Sequence, residues 1–329
     1  MPVNPLDQLS ELLLVSAIAV YAMAFIAFAL DLARRSAAAQ AVSAPLVREE
    51  SRAERGGGTA VLVAEPPAAP PSEPRRTSAR VGLALTVVAL VLHAGAVVLR
   101  GVAAGRVPWA NMYEFSMTGT LVMVLVFLGV LTRIDLRFLG SVITGFVVLL
   151  LGIATVGFHV EVSPLQPALQ SYWLVLHVLV AILGTGFFTL AAALSAVQLL
   201  QVRRQRQVDA GRPERLKLLA TVPTADRLEN LAYRISVVGF ILWTFTLIAG
   251  AIWADHAWGR YWGWDTKEVW TFIIWVVYAG YLHARATLGW RGTGSAWLNL
   301  IGYACILFNF GVVNVFFKGL HTYSGLPTG

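Results

Sequence analysis

Long apolar stretches alternate with short polar ones along this chain, and eight of them approach the ~20 residues that a helix needs to cross a bilayer. They lie at residues 12–30, 81–100, 116–132, 139–158, 172–200, 232–253, 268–286 and 296–316. The composition agrees, because 57% of the residues are hydrophobic and only 13% are charged, which leaves more apolar surface than a soluble fold could bury. We therefore predict an all-α, polytopic integral membrane protein with about eight transmembrane helices.

Basic residues are distributed unevenly between the two sides of this arrangement. With the N-terminus outside, the segments 31–80, 133–138, 201–234 and 285–295 face the cytoplasm, and they hold 8, 2, 8 and 2 of the chain's 25 Lys and Arg residues. Such an excess marks the cytoplasmic side of membrane proteins. The sequence predicts a multi-pass protein of the cell (plasma) membrane with both termini on the outer side. The net charge of +7 reflects this asymmetry and does not indicate nucleic-acid binding.

The pattern divides the chain into three parts. Residues 1–31 form the predicted first transmembrane helix. Residues 32–80 are rich in Ala, Pro, Gly, Ser and Arg and lack apolar periodicity, which is typical of a flexible linker, here on the cytoplasmic side. Residues 81–329 hold the other seven spans and form the predicted membrane domain. The lone Cys305 lies inside the last span, so no disulfide framework or CxxC pair is present.

Aromatic residues concentrate in one predicted outer segment, around "WGRYWGWD" at 258–265. Six of the chain's eleven tryptophans lie between Trp253 and Trp275. Tryptophans that only anchor a protein in the membrane interface would be spread over both interfaces. The concentration favours a flat surface for a planar apolar ligand. Its predicted members are Trp258, Tyr261, Trp262 and Trp264.

Two histidines flank this aromatic segment in the predicted topology. His177 lies near the outer end of the fifth span and His321 just beyond the outer end of the eighth. Two neutral imidazoles that face each other can ligate a haem iron from both sides. Haem propionates also require cations, and the outer segments offer four candidates. These are Arg260, Lys267, Arg106 and Lys318.

The remaining histidines have competing interpretations. His159 and His256 are predicted to be solvated loop residues. His93 and His283 lie at membrane depth, where an ionisable side chain indicates function; the alternative is a helix-to-helix hydrogen bond.

The acidic residues of the outer segments suggest structural roles. The sequence "DTKE" places Asp265 at the N-cap and Glu268 three residues later, which is the spacing of a capping box at the start of the seventh span. Glu114 at the outer membrane edge is expected to need a partner. No side chain is an obvious general acid or base, so no catalytic residue is assigned.

Four ordered segments resemble the WWD-domain haem-handling proteins, and within them the CcsA (ResC) type cytochrome c assembly proteins of System II. The segments are "VPWANMYEF", "PLQPALQSYWLVLHV", "WGRYWGWDTKEVWTFIIWVVYAGYLHAR" and "GVVNVFFKGLHTYSG". The resemblance places a WWD loop at 253–267 within the domain 81–329. It implies that His177 and His321 ligate haem iron at an external site and that His283 is a membrane iron ligand. His93 resembles a further family position. Together with these histidines, the predicted haem-binding residues are Trp258, Tyr261, Trp262, Trp264, Asp265 and Arg260.

The resemblance also implies an activity. Such a protein binds haem b in the membrane, presents it at the external site and attaches it to the CxxCH segment of apocytochrome c through thioether bonds. It would be the haem-attaching subunit of a holocytochrome c synthase, of the cytochrome c haem lyase type. Its partners would be a CcsB (ResB) type membrane protein and a thioredoxin-like thiol reductant. Two alternatives stay open: a System I type protein that loads a haem chaperone, and a quinone-linked cytochrome b that uses His93 and His283.

Overall fold

The structure, a computed structural model, describes residues 4–53, 77–287 and 289–321. Within these ranges the chain contains eight α-helices and three short 3-10 helices, and no strand. The α-helices are α1 (Pro5–Ala53), α2 (Thr77–Ala104), α3 (Met112–Leu131), α4 (Gly140–Gly157), α5 (Tyr172–Asp209), α6 (Ala225–Trp258), α7 (Thr266–Thr287) and α8 (Thr293–Phe316). The all-α prediction is confirmed.

Seven of the eight helices are long and apolar enough to cross a membrane, which confirms a polytopic membrane protein; of the described helices only α7 falls outside this set. Two tryptophans, two tyrosines, His283 and Arg285 lower the mean hydropathy of α7. Its 22 residues nevertheless extend about 33 Å at the rise of an α-helix. The start of α7 meets the end of α8 through Lys267 and Asn314, and its end meets the start of α6 through Arg285 and Glu229, so α7 runs antiparallel to both neighbours.

Hydrogen bonds show which helix ends meet. Arg100 near the end of α2 contacts Asp7 of α1 at 2.7 Å, Glu114 of α3 at 3.2 Å and the carbonyl of Val160 after α4 at 2.7 Å. Arg100 and Glu114 are both fully buried, and buried charges need such pairing. At this end of the bundle α1, α3, α5 and α7 begin and α2, α4, α6 and α8 finish; we call it the site end.

The opposite end has its own polar network. The Arg285 guanidinium lies 3.2 Å from the Glu229 carboxylate, and that carboxylate accepts the backbone N–H of Gly292 at 2.8 Å. Gln198 donates to the carbonyl of Gly292 at 3.0 Å. These contacts tie α5, α6 and α7 to the turn before α8.

The observed helix ends differ from two predicted boundaries. The first helix continues beyond residue 31 to Ala53. Within this continuation Ser36 donates a hydrogen bond to the carbonyl of Leu218 at 2.7 Å. The early part of the predicted linker is therefore helical, and residues 54–76 lie outside the described residues. The predicted WWD loop is also shorter than 253–267, because α6 continues to Trp258. It ends at Gly259, whose φ of 69° lies in the left-handed region that favours glycine.

Candidate functional site

A cavity of about 200 Å³ opens among the helices at the site end. Its lining comes from helices α3 to α8 and from the segment just before α3, and both His177 and His321 belong to it. Along α5 the lining runs from Leu174 to Thr185, about 17 Å in helix rise. Most of the lining is apolar or aromatic, with a few polar groups, as is typical of binding sites for apolar ligands.

His177 lies in the second turn of α5 and is held by α6. Its Nδ1 lies 3.0 Å from the carbonyl oxygen of Thr246, and because a carbonyl only accepts, Nδ1 carries the proton. Gly250 makes room for the ring, since a Cβ at this position would lie 2.7 Å from Cε1 of His177. The Nε2 atom has no hydrogen-bond partner in the described part of the chain, so its lone pair can bind a metal.

His321 is held in the same way, but by a carboxylate. Its Nδ1 donates to Oδ2 of Asp265 at 2.8 Å, and Asp265 also accepts the backbone N–H of Leu320 at 3.0 Å. Burial lowers the pKa of His321, and the bond to Asp265 opposes this shift. The hydrogen bond from His321 lowers the pKa of the Asp265 carboxyl. The imidazole therefore stays neutral at neutral pH beside an ionised carboxylate, which is the usual support of a metal-binding histidine.

Trp253 contacts both histidines. Its ring is stacked with His177 at a centroid distance of 5.8 Å and an angle of 15°, and it meets His321 edge-on at 5.4 Å. Trp258 contacts both His321 and Trp253, each at a centroid distance of 4.8 Å. Trp253 is only 2% exposed, so the relative position of the histidines is fixed by a packed aromatic core.

The predicted capping box at the start of α7 is confirmed. The Asp265 carboxylate accepts the N–H of Lys267 at 3.2 Å, and the Glu268 carboxylate accepts the N–H of Asp265 at 3.1 Å. Glu268 also binds the N–H of Gly263 at 2.8 Å and the Arg260 guanidinium at 3.0 Å. Asp265 thus joins the start of α7 to His321, and Glu268 fixes the fold of the loop before it.

The other loop aromatics do not reach the histidines. Tyr261, Trp262 and Trp264 are 61%, 37% and 77% exposed, and Trp262 contacts Trp264 and the outward-facing Phe272. Trp264 has a φ of 59°, which costs a residue with a Cβ about 1–2 kcal/mol. The four aromatics predicted to form one surface are therefore divided: Trp258 packs against His321, and the other three face outward.

The remaining predicted histidines lie elsewhere. His93 is fully buried on α2, its Nδ1 is 3.5 Å from the Tyr21 hydroxyl, and its Nε2 has no partner among the described residues. His283 is exposed on the surface of α7. Because α2 packs on α1 and α3, whereas α7 packs on α6 and α8, the structure does not bring these two histidines into one site.

Sequence reasoning did not single out three residues that shape the site. In the sequence, Trp253 is distinguished only as one member of the tryptophan cluster. Gly250 and Gly319 carry no pattern that distinguishes them, yet a Cβ at Gly319 would lie 2.2 Å from Oδ1 of Asp265. These close approaches depend on tertiary packing.

A model of the cytochrome C assembly protein family matches residues 109–321, the range that contains every wall of the cavity and both of its histidines. The chain belongs to this family. Proteins named cytochrome c biogenesis protein CcsA from Trieres chinensis, Prochlorococcus marinus and Synechococcus elongatus are 32%, 34% and 32% identical to it. The matches cover 75%, 73% and 74% of this chain and 87%, 82% and 87% of those proteins. It is thus a CcsA-type cytochrome c assembly protein, and its role lies in cytochrome c biogenesis.

A solved structure named cytochrome c haem lyase CcmF has the same fold. It matches with a TM-score of 0.61 over 99% of this chain, at 16% sequence identity. The chain spans about half the length of that structure, 51%. At this identity the likeness concerns the fold alone.

Proposed function

We propose that this cytochrome c assembly protein binds haem b at its site end through His177 and His321 and attaches it to apocytochrome c. One observation carries the proposal: two imidazoles line one cavity, and each uses Nδ1 for a hydrogen bond that leaves Nε2 available. Both rings contact Trp253, so their separation is bounded by the sum of two centroid distances of 5.8 and 5.4 Å.

The donor set suits haem as a substrate. Neutral imidazole nitrogens are common axial ligands of haem iron. The cavity lining is rich in aromatic side chains, among them Trp109, Phe115 and Phe310, which can pack against a porphyrin. Aromatic rings also exclude water, which strengthens polar contacts inside the site.

The chemistry divides between the protein and its substrates. Haem supplies two vinyl groups, and each thioether bond forms when a cysteine S–H adds across a vinyl double bond. The protein holds the two reactants in register and keeps water away. We propose that the histidine of the CxxCH segment replaces one of the two protein imidazoles as a ligand of the haem iron. Attachment of haem to apocytochrome c is then coupled to release of haem from this protein. The thiols must be reduced, which calls for a thioredoxin-like reductant.

The exposed aromatics and His283 are proposed to serve partners. Tyr261, Trp262 and Trp264, with Arg260 beside them, offer accessible surface next to the site for haem or for apocytochrome c. His283 faces away from the bundle, where a histidine of a CcsB-type membrane partner could complete a second iron site. The chain would then be the haem-attaching subunit of a System II holocytochrome c synthase.

The site end is proposed to face the extracytoplasmic side of the plasma membrane. The support is the distribution of Lys and Arg, four fifths of which lie in segments assigned to the other side. Cysteine-labelling of a single cysteine introduced at Trp264, in a Cys305→Ser background, tests this. Labelling of intact cells by an impermeant maleimide is expected; labelling only after lysis would contradict it.

The function is tested with three histidine variants. His177→Ala and His321→Ala are expected to lose most of the haem absorbance of the purified protein and most of the yield of holocytochrome c. His256→Ala is the matched control, because His256 is exposed at the same end and, among the described residues, its hydrogen bond goes to the carbonyl of Ile252 in its own helix. If all three variants keep wild-type absorbance and yield, the site is wrongly assigned.

No observation favours the two alternatives. A cytochrome b that used His93 and His283 would need these residues in one site. A protein that only loads a chaperone would bind haem at the same pair, but would give no thioether product with apocytochrome c in a purified system.

A further inference from the structure

Three of the four candidate cations at the site end are already accounted for. Arg106 forms two hydrogen bonds with the Glu114 carboxylate, at 2.6 and 3.2 Å. Arg260 pairs with Glu268 at 3.0 Å and lies over the Trp258 ring. Lys318 is exposed to solvent. The fourth cation, Lys267, differs from all of these.

Lys267 lies in the first turn of α7 and lines the cavity together with both histidines. Its ammonium donates to the side-chain oxygen of Asn314 on α8. In the described part of the chain no carboxylate forms an ion pair with it. The two nearest along the sequence are engaged elsewhere, since Asp265 binds His321 and Glu268 binds Arg260.

A cation in this position lacks a full counter-charge. An ammonium beside a mostly apolar cavity is costly unless an opposite charge or strong dipoles compensate it. One amide oxygen offers a partial charge and satisfies one of three donors. Two N–H donors of Lys267 therefore remain for a group in the cavity, and that group should be anionic.

We infer that Lys267, supported by Asn314, is the subsite for a carboxylate of the bound ligand, which under the proposed function is a propionate of haem. Because Lys267 and both histidines line one cavity, the bound ligand would direct its iron to the imidazoles and one carboxylate to the Lys267 ammonium. The inference rests on the proposed function. It adds Lys267 as the side chain that orients the macrocycle in the site.

The test compares haem with haem dimethyl ester, whose carboxylates are blocked, on the purified full chain. Loss of a hydrogen bond to a charged group is expected to weaken binding by at least about tenfold. We expect wild-type protein to bind haem about tenfold more tightly than the ester. Lys267→Met should bind haem about as weakly as wild type binds the ester, and should bind the ester without further loss.

Controls separate a subsite from a folding defect. Lys267→Arg keeps a cation and should retain the preference for haem over the ester, and Lys318→Met should behave like wild type. Equal binding of haem and ester by wild type, or an unchanged preference in Lys267→Met, would overturn the inference while leaving the histidine site in place. Absence of haem binding by wild type would instead overturn the proposed function together with this subsite.

Discussion

Gly259 separates two aromatic regions that differ in almost every physical respect. Before it, Trp253 and Trp258 lie on the last turns of α6 and pack against His321. After it, Tyr261, Trp262 and Trp264 lie in a short loop and are largely exposed. In the inner region Trp253 is buried and lines the cavity, whereas the side chains of the outer region are accessible to another molecule. One run of aromatic sequence thus serves two purposes.

The difference arises from how each region is held. Helix geometry and burial fix the inner pair, so the histidines that they contact have little freedom. The outer trio depends on Glu268, which binds the N–H groups of Gly263 and Asp265. Such a loop keeps its backbone fixed while its side chains remain free to adapt. We therefore expect substitutions in the two regions to have separable effects.

The largest effect is expected for Trp253→Ala. Removal of a buried tryptophan costs about 3–5 kcal/mol of unfolding free energy and deprives both histidines of their shared contact. Thermal unfolding and haem absorbance should both fall sharply. Trp264→Ala is the matched change in the outer region, and surface substitutions usually stay within about 0.5 kcal/mol. Equal losses of stability in the two variants would remove the distinction between the regions.

The second-largest effect is expected for Asp265, which accepts a hydrogen bond from His321 and caps α7 directly after the outer loop. In Asp265→Asn the side chain can still cap α7, but it no longer offers a carboxylate to His321. Loss of such support for a metal-binding histidine typically costs 10–100-fold in affinity. We expect haem binding to weaken by about that factor with little change in unfolding temperature. Asp265→Ala should add about 1 kcal/mol of destabilisation from the lost cap. Unchanged haem affinity in the Asn variant would show that His321 needs no support.

A smaller effect is expected for Gly250→Ala. The added methyl group would lie 2.7 Å from Cε1 of His177, so the ring must shift and iron ligation should weaken. The control is Gly280→Ala on α7, where no atom lies within 4 Å of the new Cβ. There the better helix propensity of alanine should raise stability by up to about 1 kcal/mol. A Gly250→Ala protein with a wild-type haem spectrum would mean that His177 does not bind the iron.

The membrane spans and the helix cap could be predicted from the sequence, but the tertiary contacts of individual side chains could not. The spans follow from runs of apolar residues, and the cap at Asp265 follows from two residues three positions apart. Helices α1 and α6 both continue past the predicted ends of their spans, and in α1 the continuation is held by a hydrogen bond from Ser36 to the carbonyl of Leu218. The contacts of Trp253 with both histidines, and the space left by Gly250 for His177, depend on how α5, α6 and the segment after α8 pack together.

The most direct test of the account is chemical rescue of each iron ligand. Haem bound to the wild-type protein should give the low-spin spectrum of two imidazole ligands. His177→Gly and His321→Gly should each lose that spectrum, and added imidazole should restore it by occupying the space of the missing ring. A low-spin spectrum that persists in both variants without imidazole would contradict the account.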